Sequence, residues 1–203
     1  MNNMNYDQVM NDIIGQLKKT SERKKLLMHS CCAPCSSACI ERLKEYFDIT
    51  IFFYNPNMDT LKEYQCRAEE QKRLCNILDV DCVIEDYNSQ DFYSAVKGLE
   101  KEKEGGSRCE KCFYLRLNKA SQYAREHGYH YFTTTLTVSP LKNARLLNQI
   151  GKEIEEKTGV PFLVSDFKKK NGYLRSIELS KEYKLYRQNY CGCEFSKNLL
   201  PNE

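Results

Sequence analysis

Along the first stretch of the chain, Tyr6, Val9, Met10, Ile13, Ile14 and Leu17 recur every three or four residues, which predicts a leading amphipathic helix within residues 1–24. The period then changes. "KLLMHS" is a short apolar run that reads as a buried strand, and "APCSSACIERLKEYF" returns to helical spacing. "DITIFFYN" is a second strand, rich in β-branched and aromatic residues and closed by Pro56. Residues 61–78 read as helix, "DCVIEDY" as a third strand and "SQDFYSAVKGLEKEKE" as another helix. Beyond Gly105 and Gly106, "RCEKCFYLRLNKASQYAREHG" is a helix stopped by Gly128. "YHYFTTTL", "NARLLNQIGKEIEEKTG" and "PFLVSD" complete the series as strand, helix and fifth strand. Strands alternating with helices across short turns imply a mainly parallel sheet covered on both faces, an α/β three-layer Rossmann-like sandwich. From residue 168 the alternation gives way to a basic loop, a helix and a C-G-C tail, so residues 1–203 read as one domain.

Composition narrows the class. With 29% charged and 41% hydrophobic residues, the chain fits neither a disordered nor a membrane protein. No apolar run approaches the roughly 20 residues of a spanning helix. The opening "MNNMNYDQVMNDIIGQL" lacks the basic-then-apolar layout of a signal peptide, so a cytoplasmic protein is expected. A formal charge of +3 leaves nucleic acid as a question for local patches. Eleven cysteines change the picture more, because in a reducing compartment clustered thiols hold metal or do redox chemistry.

The thiols have a pattern. "HSCCAPC" fills the first strand-to-helix turn, where nucleotide-binding relatives of this fold carry a glycine-rich phosphate loop. Neither G-x-G-x-x-G nor G-x-x-x-x-G-K-[ST] is present, so no ATP is expected. A second pair, Cys109-x-x-Cys112, opens the helix after the glycines. Both pairs sit at helix N-termini, whose partial positive charge favours thiolates. By spacing alone, Cys32, Cys35, Cys109 and Cys112 form a four-thiolate set for zinc or a [4Fe–4S] cluster. Cys191-Gly-Cys193 suits either an easily reduced disulfide or a ligand pair. Cys39, Cys66, Cys75 and Cys82 lie in helix or strand patterns and read as core residues. His29 reads as a satisfied strand residue or a neighbour of a cluster, while His127 and His130 flank a helix stop and look structural.

After the fifth strand, "DFKKKNGYLRS" places Lys168, Lys169, Lys170 and Arg175 around Tyr173. Cations for phosphates and a ring for an unstacked base suit a folded RNA, although such a run is equally a solvated face.

The motifs "LLMHSCCAPCS", "FFYNPNM" with "EYQCRAEEQKR", "GGSRCEKCFYLRL", "FTTTLTVSPLKN", "DFKKKNGYLRS" and "YRQNYCGCEFS" closely resemble the cobalamin-independent epoxyqueuosine reductases of the QueH family, from about residue 25 to 196. The resemblance implies a fold similar to adenine nucleotide α-hydrolase (HUP) domains and a single catalytic domain over 1–203. It implies the last step of queuosine synthesis: reduction of the wobble-base epoxide on tRNA, with an electron donor but no cobalamin. It further implies a [4Fe–4S] cluster on Cys31, Cys32, Cys109 and Cys112, and a redox-active disulfide between Cys191 and Cys193. Spacing favours Cys35 as a ligand and the resemblance favours Cys31; Cys35 is then left for an additional iron or for packing behind the cluster. Lys168, Lys169, Lys170, Tyr173 and Arg175 become the expected tRNA surface, with no membrane contact. Two rival readings are a tRNA-thiolating, adenylate-forming enzyme, which needs an ATP loop absent here, and a zinc-stabilised RNA-binding module.

Overall fold

The computed structural model describes residues 4–20 and 23–197; residues 198–203 of the expected tail lie outside them. The described order is α1 (Tyr6–Thr20), β1 (Lys24–His29), α2 (Ala33–Leu43), β2 (Phe47–Phe53), α3 (Leu61–Leu78), β3 (Asp81–Ile84), α4 (Ser89–Ala95), α5 (Ser107–Glu126) and β4 (Tyr131–Thr134). A 3₁₀ turn over Thr135–Val138 leads to α6 (Ala144–Thr158), α7 (Gly172–Glu182) and the short α8 (Glu194–Lys197). Local chemistry explains several boundaries. The Thr60 hydroxyl accepts from Glu63 N–H at 3.2 Å to start α3, and Asp79 ends it in the left-handed region. Asn143 caps α6 through Leu146 N–H, and Gly159 closes it at φ 78°.

The four strands are parallel in the order β3-β2-β1-β4, with His29 of the central β1 level with Phe52 and Thr134. Strand alternation divides the core between the two faces. Leu26, Met28, Ile49 and Ile51 turn toward Met10, Ile14, Ile40 and Leu43 of α1 and α2. Leu27, Phe52 and Phe132 turn toward Phe113, Leu117, Leu147 and Ile150 of α5 and α6. Each such buried side chain contributes roughly 1.5–3 kcal/mol. The expected three-layer sandwich is therefore present.

Two elements differ from the sequence expectation. "PFLVSD" makes one parallel bridge, Phe132 with Phe162, in place of a fifth strand. Side chains take its next backbone groups: Thr133 Oγ1 donates to Leu163 O at 2.8 Å, and Asn148 Oδ1 accepts from Ser165 N–H at 2.9 Å. The helix expected from Ser89 onward stops at Ala95. The chain then folds in turns around the Arg108 guanidinium, which donates to the carbonyls of Glu100 (2.9 Å) and Glu102.

Candidate thiol-lined active site

The C-terminal ends of the strands share one edge, where ligands of open parallel sheets bind. There the chain leaves His29 and turns into α2 with Cys32 as N-cap, but the Cys32 sulfur makes no capping bond. It faces other sulfurs. Cys31, Cys32 and Cys35 hold their Sγ atoms within 4.8 Å of one another, with Cys31–Cys32 at 3.7 Å and Cys32–Cys35 at 2.7 Å. Contact with the Cys32 and Cys35 thiols holds Cys31 well below the usual thiol range, and Arg116 adds to this. Burial and the same contact push Cys32 up to about 12, while contact with Cys31 and Cys32 also raises Cys35. The turn thus favours one thiolate supported by two thiols. Behind it, the buried Gln71 Oε1 accepts from Ser30 Oγ at 2.8 Å and Ser36 Oγ at 2.9 Å, and its Nε2 donates to Cys75 Sγ at 3.3 Å.

The other sequence-predicted thiols gather nearby. Cys109, half-buried at the start of α5, packs with Cys31 against the same core cluster and accepts from Gly105 N–H at 3.2 Å. One turn on, Cys112 is buried with Cys193, Phe92 and Val96. Burial pushes Cys112 up to about 12 and also raises Cys193. Among the described residues, the trio within 4.8 Å is Cys31, Cys32 and Cys35; Cys109 and Cys112 are not part of it. Gly192, between the tail cysteines, has φ +114°, and a Cβ there would stand 3.2 Å from Arg67 Nη1. Cys191, Cys31 and Cys35 line one cleft of about 480 Å³.

Two neighbours, Arg116 and Lys142, were not singled out by the thiol motifs. Arg116 is buried, donating from Nε to His29 Nε2 at 3.3 Å and from Nη2 to Asn55 Oδ1. Because a guanidinium has no acceptor, His29 Nε2 must accept, and Nδ1–H donates to Thr134 Oγ1 at 3.0 Å. Burial and Arg116 hold this imidazole neutral, its pKa lowered to about 3. His29 is therefore the satisfied strand residue of the two readings. Lys142, in the motif "TVSPLKN", reaches Glu104 at 2.9 Å and also contacts the Cys191 side chain; despite burial, these partners raise its pKa. Only its i+4 spacing from Cys112 on one helix hinted at Arg116.

The basic run is divided. Tyr173 lines the thiol cleft, whereas Lys169, Lys170 and Arg175 line a second cavity of about 540 Å³ between α1, α2 and α7. Lys168 turns back to Asp166 at 3.0 Å, and Arg175 is clamped by Glu41 and Glu178 at 2.7 and 2.9 Å. Of the cysteines expected in the core, Cys39 and Cys75 are buried and Cys82 half-buried. Cys66 is the exception: it is exposed, because the inward face of α3 at that turn belongs to Arg67.

The family model described as "Epoxyqueuosine reductase QueH" matches residues 26–199. The chain belongs to the QueH epoxyqueuosine reductase family. Relatives include the QueH enzymes of Staphylococcus epidermidis, 44% identical over 95% of this chain and 84% of that protein, and of Thermotoga maritima, 41% identical over 84% and 89%. The span matched to QueH takes in every cysteine of the chain, while all of α1 lies outside it. Among solved structures, the U34-tRNA thiolase NcsA from Methanococcus maripaludis, described with its [4Fe–4S] cluster, superposes with a TM-score of 0.53. It covers 92% of this QueH chain and 68% of its own at 13% identity, so the two share the fold. Among the described residues, no helix is long and apolar enough to cross a membrane.

Proposed function

We propose that this QueH chain reduces the epoxide of epoxyqueuosine at the tRNA wobble position to the cyclopentene of queuosine, as a single catalytic unit over residues 1–203. A [4Fe–4S] cluster would be held by Cys31, Cys32, Cys109 and Cys112, with Cys35 available to an additional iron. Cys191 and Cys193 would act as the dithiol. The observation carrying this reading is the cleft that Cys191 shares with Cys31 and Cys35. The donors suit the cofactor: soft sulfurs select iron–sulfur or zinc centres, and the buried Arg116 beside them suits an anionic group. When bound, such a cluster supplies one-electron transfer and a Lewis-acidic iron toward the epoxide oxygen.

The chain's own groups account for the rest. Both epoxide C–O bonds break, a C=C bond forms, and oxygen leaves as water. Two electrons and two protons come from Cys191 and Cys193, which close a disulfide that an external donor must reopen. Lys142 stands beside Cys191, where its Nζ can relay the proton that the thiol gives up. About 480 Å³ accommodates one modified base but not a stack of them, so the base enters unstacked from its loop. Tyr173 on the cleft wall offers a stacking surface, and Lys168, Lys169, Lys170 and Arg175 the phosphate contacts.

Anaerobic reconstitution with iron and sulfide, followed by mass analysis of epoxyqueuosine-bearing tRNA given a reductant, tests the reading. Cys109→Ala loses iron and turnover; Cys191→Ser keeps the brown chromophore and loses turnover; Cys35→Ala keeps the chromophore with less total iron. Full turnover in either of the first two variants overturns the assigned roles.

A further inference from the structure

Among the described residues, three arginines are almost wholly buried, and they are satisfied differently. Arg67, 1% exposed, pairs with Glu63 at 2.7 Å. Arg108 spends its donors on backbone carbonyls and lies over the Phe195 ring at 4.3 Å. Arg116, also 1% exposed, meets no carboxylate among the described residues. Its hydrogen-bond partners are the His29 ring and the Asn55 amide, and the Cys112 sulfur stands one turn before it on α5, at the sheet edge that also carries Cys31 and Cys191. A guanidinium cannot escape burial by losing its proton, and an uncompensated buried charge is strongly unfavourable. The missing anion must therefore come from the thiol centre at this sheet edge, to which Cys112 belongs.

We infer that Arg116 is the buried counter-charge of the metal–thiolate centre and a positioning residue that sets its reduction potential. This rests on the reading above that such a centre forms here. Four thiolates around an iron–sulfur core are anionic, and reduction adds one more negative charge without moving any atom far. A fixed cation therefore stabilises the reduced state more than the oxidised one. Cys112 and Arg116 are four residues apart on α5, so one helical turn fixes ligand and counter-charge together. Lys142 does not duplicate the role, since Glu104 already balances it.

The test uses the full chain as wild type, Arg116→Met and Arg116→Lys. Without metal, Arg116→Met should melt close to wild type, because losing the bonds to His29 and Asn55 is offset by removing a buried charge that no carboxylate balances. Reconstituted, it should be harder to reduce by tenfold or more, about 59 mV lower for a one-electron couple, and lose iron faster to a chelator. Arg116→Lys should recover most of both changes. A potential equal to wild type in Arg116→Met overturns the inference. So does an Arg116→Lys that behaves like Arg116→Met, or a metal-free Arg116→Met that melts well below wild type or does not fold, since Arg116 is then structural. If Arg116→Met holds no iron at all, retention by Arg116→Lys supports the inference and loss by both overturns it. A wild type that takes up no iron removes the proposed cofactor and this inference with it; a wild type that loads while both variants match it removes this inference alone.

Discussion

Replacing Gln71 by leucine keeps the volume behind the thiol turn but deletes three hydrogen bonds. Two run from Ser30 and Ser36 to Oε1 at 2.8 and 2.9 Å, and one from Nε2 to Cys75 Sγ at 3.3 Å. A neutral bond contributes about 1 kcal/mol net, and the one to sulfur less. The larger penalty for stranded hydroxyls is mostly avoided. Ser30 and Ser36 each keep Cys32 O within 3.2 Å, and Ser36 also keeps Ala33 O at 3.1 Å. The expected loss is about 2 kcal/mol, which for a chain of this length lowers Tm by about 4–8 °C. Urea unfolding of the metal-free protein measures it. The Ser30→Ala, Ser36→Ala background supplies the control, in which Gln71→Leu should cost less than half as much. A loss below about 0.5 kcal/mol, within the range of ordinary surface substitutions, would refute the clamp, as would full additivity in the serine-free background.

Two glycines should respond oppositely to alanine. At Gly172 a Cβ would lie 1.8 Å from the Phe167 carbonyl oxygen, so Gly172→Ala should cost about 1–3 kcal/mol in urea unfolding. At Gly15, inside α1 with nothing within 4 Å of a Cβ, alanine should add up to about 1 kcal/mol. Alanine at Lys168, Lys169 and Lys170 together should weaken tRNA binding and flatten its salt dependence. Lys169 should contribute most, because Lys168 and Lys170 already face Asp166 and Asp7; unchanged affinity would make the run a solvated face. Arg175 holds Glu41 below the usual carboxylate range, so this pair stabilises the fold above the unfolded pKa near 4.3 and the contribution is lost as pH falls through the lower folded value. Both partners are over 40% exposed, so Glu41→Gln should cost under about 1 kcal/mol at neutral pH and nothing in acid; an equal deficit at both would exclude the ion pair as the cause.

Much of the frame is legible in the chain itself because its causes are local. The helix over 61–78 has its cap at Thr60 and its left-handed stop at Asp79 within a few residues of its ends. The cysteine turn could be placed at a helix N-terminus because an apolar strand precedes it and Pro34 opens the next helix. The tertiary structure decided what lies between distant segments. It set Cys112 against Cys193 and turned Arg116 onto His29 and Asn55. It also sent Tyr173 and Lys169 to different cavities and gave the backbone of "PFLVSD" beyond its single bridge to side-chain partners. Hydrophobic period reports only which face of an element is buried. Spacing within α5 encodes the Cys112–Arg116 pair alone; which charge meets the thiols of other segments depends on how α5, the tail and the first turn pack together.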